Sequence, residues 1–261
     1  MSGHAGPHEP VAHEPVAHDP VAHDPVARDV ERAEGYLLDR VSERLSRVRD
    51  RITATGRDAA SVRIVAVTKG FGAPAIRAAF EAGLMDIGEN YASELLSKAA
   101  VSDLPAVRWH YIGAIQRRSV ARLAPIVGCW ETLCRSQEIE TVARRAPGAC
   151  VLIQVDLTDS TRSPSRSATA LRNGSPPDEV PGLVAEAVSA GLDVEGLMAV
   201  GPRGSPEAAR PGFRLVAELA RSLGLRELSM GMTDDMEIAL EEGSTILRVG
   251  RGLFGDRLHT G

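Results

Sequence analysis

A lysine closing an apolar run has the residue type and placement that carbonyl chemistry needs. Val62-Arg63-Ile64-Val65-Ala66-Val67-Thr68-Lys69 carries five apolar residues without alternation. That is the pattern of a strand buried on both faces. Gly70, Gly72 and Pro74 follow, and a helical pattern starts at Ala75. Lys69 therefore stands at the carboxyl end of a core strand, where parallel α/β proteins collect ligands and reacting groups. An amine there, its pKa lowered by apolar walls or neighbouring cations, can condense with an aldehyde. The plainer alternative is a surface lysine snorkelling at a strand end.

Further residues of chemical interest fall at other strand ends. Asn90 follows the second strand, His110 lies on the third, and Met198 is near the end of the sixth. Ser229 is near the end of the seventh and Arg248 lies on the eighth. Ser229-Met230-Gly231-Met232-Thr233 and Gly250-Arg251-Gly252 form the loops that follow. Glycine-freed backbone N–H groups in those two positions are a recurrent phosphate-binding device of barrels. Thr233 before Asp234 also reads as a helix cap, and Asn90 as another. His110 reads first as a packed, hydrogen-bonded histidine. Arg248, inside an apolar strand, needs a carboxylate or a ligand as partner. Asp86 and Glu89 show no partner carboxylate, so no acid–base pair is assigned. A lysine facing two phosphate-type loops asks for a ligand with both a carbonyl and a phosphate.

The elements that would position these groups alternate regularly. Strands are expected at 62–69, 84–87, 107–112, 126–132, 150–156, 194–199, 227–230 and 246–249. Each but the last leads into a helix, and eight such units predict an α/β protein with a closed TIM-type (β/α)8 barrel. An open doubly wound sheet is the alternative, but no Gly-x-Gly-x-x-Gly follows the first strand. A long amphipathic helix at 30–55 precedes the first strand, through Leu37, Leu38, Val41, Leu45, Val48 and Ile52. Residues 158–177 read as a long exposed loop.

Two domains of behaviour are expected: a disordered tail over 1–30 and the barrel over 31–258. The tail repeats His-Glu-Pro-Val-Ala and then His-Asp-Pro-Val-Ala and holds five of the seven histidines. Proline at that period opposes a helix, and one valine per copy builds no core. Weak metal binding by the tail is the lesser reading, because it offers no rigid geometry. A net charge of −5 argues against a nucleic-acid binder, and no apolar run reaches membrane-spanning length. Three cysteines without metal-ligand spacing read as reduced thiols in a cytoplasmic protein.

Five segments then resemble one family, in order and at family-like spacing. They are Val65-Ala66-Val67-Thr68-Lys69, Gly88-Glu89-Asn90-Tyr91, Trp109-His110-Tyr111-Ile112-Gly113, the run Leu228-Ser229-Met230-Gly231-Met232-Thr233-Asp234-Asp235-Met236, and Gly243-Ser244-Thr245 with Arg248-Val249-Gly250. Over about residues 35–255 the chain resembles the YggS/PROSC family of pyridoxal phosphate (PLP) homeostasis proteins. The resemblance implies a fold type III barrel, similar to the N-terminal domain of alanine racemase, with PLP held as an aldimine on Lys69. It implies that Ser229 and the Gly250 turn, with Met230 and Arg251 beside them, hold the phosphate. Arg248 would face the pyridine nitrogen and disfavour a protonated ring, with Asn90, His110 and Met198 near the cofactor. It also implies a cytoplasmic, monomeric protein that carries PLP to PLP-requiring apoenzymes and influences amino-acid balance, without a defined turnover reaction.

The chain departs from the family pattern in three places. Arg251 replaces the family's threonine, exchanging a hydroxyl for a cation; the 158–177 loop is longer; and the histidine tail has no counterpart. No domain supplying a racemase's second base is expected after Phe254-Gly255. The alternatives are a PLP-dependent racemase or lyase of small amino acids, and a cofactor-free Schiff-base barrel of aldolase type.

Overall fold

Strands that are apolar toward both sides bury both only if helices cover one face and the sheet closes around the other. The computed structural model describes residues 1, 25–101, 103–158, 174–202 and 204–256, with backbone alone over 25–34. In it β1 (Arg63–Val67), β2 (Asp86–Glu89), β3 (Arg108–Tyr111), β4 (Val127–Leu133), β5 (Cys150–Val155), β6 (Asp193–Ala199), β7 (Glu227–Ser229) and β8 (Ile246–Val249) pair in chain order. β8 returns to β1, with Val65 opposite Arg248, and the parallel barrel is closed.

Helices α2 (Ala73–Glu81), α3 (Ala92–Ala99), α4 (Arg117–Leu123), α5 (Ser136–Arg145), α6 (Val180–Ser189), α7 (Arg210–Ser222) and α8 (Met236–Glu241) cover the barrel. The leading helix α1 (Pro25–Ala54) packs on α2, on α8 and on the last helix α9 (Arg251–Phe254). It thereby straddles the seam where the last unit meets the first. Val41, Leu45, Val48 and Ile52 form its buried stripe.

Three boundaries differ from expectation. The helix begins at Pro25, so 25–30 belong to α1 rather than to a tail. Proline is tolerated there because a first-turn N–H has no intrahelical acceptor. The Gly250 segment, expected as a turn, caps the short helix α9. The helix expected after the sixth strand begins as a 3-10 turn, Pro206–Ala209, before α7. The earlier part of the repeat tail, 2–24, and residues 159–173 of the long loop lie outside the described residues. Among the described residues no helix is long and apolar enough to cross a membrane.

Side chains of successive strand residues alternate between the helix layer and the barrel interior. The helix-facing set makes the main core, with Trp130 and Phe213 its largest fully buried members. The interior holds a small apolar cluster, Val65, Cys129, Cys150, Leu152, Met198 and Ile246. The rest of that interior is polar: His110, Glu131, Ser229 and Arg248 are all buried.

Close packing at the barrel's carboxyl end depends on Gly113. A Cβ there would stand 1.8 Å from the Asn90 carbonyl oxygen, and the Gly113 carbonyl accepts the Thr132 hydroxyl at 2.6 Å. Gly113→Ala must displace backbone on either side, and a loss of about 3 kcal/mol or more is expected. Gly182→Ala, on α6 with nothing within 4 Å of the added Cβ, should instead be neutral or stabilising by up to about 1 kcal/mol. Urea unfolding of the two variants checks both directions.

Candidate functional site

Lys69 sits in a tight turn that follows β1. Phe71 N–H donates to the Thr68 carbonyl at 2.9 Å, and Gly70 takes φ +75°. That is the layout of a type II turn, in which the third position needs a positive φ. Val65 belongs to the interior cluster and Ala66 to the outer core. The alternation sends Thr68 outward and Lys69 inward. Lys69 lines a cavity of about 530 Å³ together with Val67, Phe71, Ile112, Met232, Thr233, Arg248, Gly250 and Arg251.

The far wall is built by the seventh and eighth loops. Gly231 has φ +89°, and a Cβ on it would lie 2.6 Å from that of Ala239; only glycine makes this bend, which brings Met232 and Thr233 to the cavity. Asp235, not Thr233 as expected, stands at the start of α8 and accepts the Met232 N–H at 2.6 Å. Thr233 Oγ1 instead accepts the Gly252 N–H at 3.0 Å, tying the two loops together. From behind, α1 braces both. Arg51 donates to Glu237 and to the Thr233 carbonyl at 2.9 Å, and Arg44 donates to the Leu253 carbonyl at 3.3 Å. Arg251 pairs with Asp234 at the cavity mouth.

Arg248 reaches the cavity from the barrel interior. Its Nη1 donates to the Ser229 carbonyl at 2.6 Å and to Ser229 Oγ at 2.7 Å, and its Nη2 to the Ala199 carbonyl at 2.8 Å. Ser229 Oγ donates onward to Glu131 Oε2 at 2.6 Å. Glu131 Oε1 lies 2.6 Å from His110 Nδ1, and Asp86 Oδ1 lies 2.8 Å from His110 Nε2. A chain of alternating charge thus runs from Asp86 through the barrel axis to the cavity.

Burial alone pulls the His110 pKa down. Its hydrogen bonds to Asp86 and Glu131, and their charges, outweigh burial and raise it from 6.5 to about 9. At neutral pH both ring nitrogens therefore donate. Burial pushes Glu131 up, but the His110 hydrogen bond and charge, then Arg248 and Ser229, bring it below its ordinary value. Asp86 is likewise lowered, with burial opposed by the His110 hydrogen bond and charge. Burial lowers the Arg248 pKa, against the charges of Glu131 and Asp235.

Of the residues singled out in the sequence, the fold brings Lys69, Arg248, Gly250 and Arg251 to one cavity. It does not bring the others to that lining. His110 and Ser229 are fully buried in the charge chain, and the Ser229 hydroxyl is committed to Glu131 and Arg248. Met198 packs in the interior cluster and Met230 in the outer core. Asn90 precedes the start of α3, where Tyr91 is the cap. The sequence shows no partner carboxylate for Asp86, whereas the fold makes it share His110 with Glu131. It also passed over a signal in the composition: the whole chain has two lysines, Lys69 and Lys98.

A cavity of this size suits a small ligand. Its residues fit a phosphorylated aldehyde: one amine, one buried guanidinium, and a glycine-bounded end where a Cβ on Gly250 would already be 3.3 Å from the Val67 carbonyl oxygen.

The charge chain also makes stability depend on pH. The His110 pKa is raised on folding, so its contribution is complete below about pH 6.5 and is lost as pH rises through about 9. The magnitude is on the order of 3 kcal/mol. Thermal unfolding at pH 6.5 and 9.5 should show this loss in the natural chain and a flatter profile in His110→Gln, which is less stable throughout.

No family model matches the chain. It is 36% identical over 227 residues to the pyridoxal phosphate homeostasis protein of Pseudomonas aeruginosa, covering 85% of this chain and 96% of that one. It is also 36% identical over 214 residues to the protein of the same name from Deinococcus radiodurans, covering 80% of this chain and 97% of the other. Among solved structures it is similar to PipY of Synechococcus elongatus PCC7942 with PLP bound, at a TM-score of 0.68 and 28% identity, over 82% of this chain and 100% of that one. At 36% identity over at least 80% of this chain and 96% of each of these two relatives, the chain belongs to the pyridoxal phosphate homeostasis protein family.

Proposed function

We propose that this chain binds PLP in the cavity through Lys69 and serves the handling of that cofactor without a turnover reaction of its own. One observation carries the reading: Lys69, Arg248 and the glycine turns of the seventh and eighth loops line a single cavity. Lys69 Nζ is the amine that holds the aldehyde. Gly250, Arg251 and Thr233 form the end suited to phosphate, where the Arg251 cation takes the place of a family hydroxyl.

PLP supplies an electron sink when its ring nitrogen is protonated. Arg248 opposes that state, because a guanidinium can only donate and a ring nitrogen beside it must accept. The titratable side chains on the described lining are Lys69, Asp234, Arg248, Arg251 and Asp256. Asp234 is paired with Arg251 at the mouth. This inventory favours carriage over proton abstraction.

On this reading the chain works in the cytoplasm as a monomer and passes PLP to PLP-requiring apoenzymes. Cys129, Cys134 and Cys150 are free thiols, in keeping with a reducing compartment.

The test is the visible spectrum of the purified chain with PLP, before and after borohydride. A band that borohydride bleaches is expected, with the reduced adduct on Lys69 by mass spectrometry and none in Lys69→Ala. No band in the natural chain would contradict the reading. Exchange of an amino acid's α-proton in heavy water at enzyme-like rates, lost in Lys69→Ala, would replace the carrier with a racemase or lyase.

A further inference from the structure

Both lysines of the chain converge on one turn. Lys98, on α3, is buried behind the strand ends, on the opposite side of the backbone from the cavity. Its Nζ donates to the Thr68 carbonyl at 2.8 Å, to Glu89 Oε1, and to Glu94 Oε2 at 3.1 Å. Thr68 Oγ1 donates to the same Glu89 oxygen at 2.6 Å. Glu94 Oε2 also accepts the Gly70 N–H at 2.7 Å. The residues on both sides of Lys69 are therefore fixed from α3 and β2: Thr68 through its carbonyl and hydroxyl, Gly70 through its amide.

We propose that Lys98, Glu89 and Glu94 form a clamp that sets the conformation of the Lys69 turn and so presents the Lys69 amine to the cavity. The inference rests on the proposed role of Lys69 as the PLP-holding residue. It makes Lys98, Glu89 and Glu94 positioning residues, none of them on the cavity lining.

Three features favour a positioning role over a merely stabilising ion pair. The Thr68 carbonyl accepts both the Phe71 N–H that closes the turn and the Lys98 ammonium, so turn and clamp share an atom. Glu89 Oε2 is buried and accepts no hydrogen bond among the described residues. A cluster built for stability would satisfy it, since unpaired buried acceptors are costly. Finally, Lys98 keeps an ammonium in a chain whose one other lysine is Lys69 and whose remaining 28 of 30 Lys and Arg side chains are arginine. A compact head with three divergent donors serves three acceptors around one point, whereas a planar guanidinium presents its donors in a fork.

The test compares Glu94→Ala, Glu94→Gln and Lys98→Arg, with Glu140→Ala, at an exposed position of α5, as control. Glu94 is chosen because it is partly exposed; Lys98→Met would leave Glu89 buried without its cation and lower stability outright. Two readouts are taken on the full chain. One is amide exchange at Gly70 and Phe71 without PLP, and the other is the rate at which added PLP becomes reducible onto Lys69.

Glu94→Ala should speed Gly70 exchange and slow the Lys69 reaction, each by about tenfold or more, as expected for losing a hydrogen bond to a charged group. Glu94→Gln, which keeps an acceptor, should recover most of both. Lys98→Arg should slow the Lys69 reaction while keeping the charge, and Glu140→Ala should match the natural chain. Faster Gly70 exchange with an unchanged Lys69 rate would overturn the proposal, as would unchanged exchange in Glu94→Ala. A natural chain that takes up no PLP contradicts the proposed function instead. The exchange readout then tests whether the clamp sets the turn, and unchanged Gly70 exchange in Glu94→Ala overturns it.

Discussion

Closure of the barrel between β1 and β8 is the constraint on which the site depends. Pairing Val65 with Arg248 puts the lysine that follows β1 and the arginine of β8 on adjacent strands with their side chains directed inward. An open sheet would leave those strands at opposite edges. The closing contact is reinforced outside the barrel by α1, whose arginines hold the seventh and eighth loops from behind. Arg63 N–H adds a hydrogen bond to the Thr245 carbonyl at 2.9 Å at the start of the same pair of strands. One helix and one strand pairing thus bring three separate segments to a single cavity.

The polar barrel interior follows from the same closure. An ordinary barrel fills its axis with branched apolar side chains, whereas here Asp86, His110, Glu131 and Arg248 occupy much of it. Two carboxylates and two cations balance: Asp86 and Glu131 are both hydrogen-bonded to His110, and the Ser229 hydroxyl links Glu131 to Arg248. Such a chain stabilises less than an apolar filling of equal volume would, because desolvation offsets most of the attraction. Its effect is orientation: the Arg248 guanidinium is held on Ser229 and Ala199 and keeps its charge at the cavity wall. On the other side of the backbone, the Lys98 cluster does for the Lys69 turn what the interior chain does for Arg248.

The architecture was legible in the sequence because each strand is a compact apolar run and each helix carries its own periodicity. All eight strands fall within a few residues of their expected positions. Lys69, Arg248, Gly250 and Arg251 were legible because a strand end or a glycine turn fixes where a residue lies along the barrel axis. What axial position does not fix is the face. Met198 and Met230 both stand near strand ends, yet one packs inside the barrel and the other under the helices. Ser229 was assigned to phosphate, but its hydroxyl serves Glu131 and Arg248, while Thr233 four residues later reaches the cavity. The partners of His110 come from neighbouring strands, 24 and 21 residues away, and no local pattern announces them. Nothing in the local sequence of Lys98 goes beyond an i,i+4 spacing from Glu94, because its burial depends on how α3 sits against β1 and β2.

The most direct test of the account is a crystal structure of the chain grown with PLP. Continuous density from Lys69 Nζ to the cofactor is expected, with the ring nitrogen beside Arg248 and the phosphate between Thr233 and the Gly250 turn. Cofactor bound elsewhere, or lying in this cavity with its phosphate toward Arg248, would contradict it.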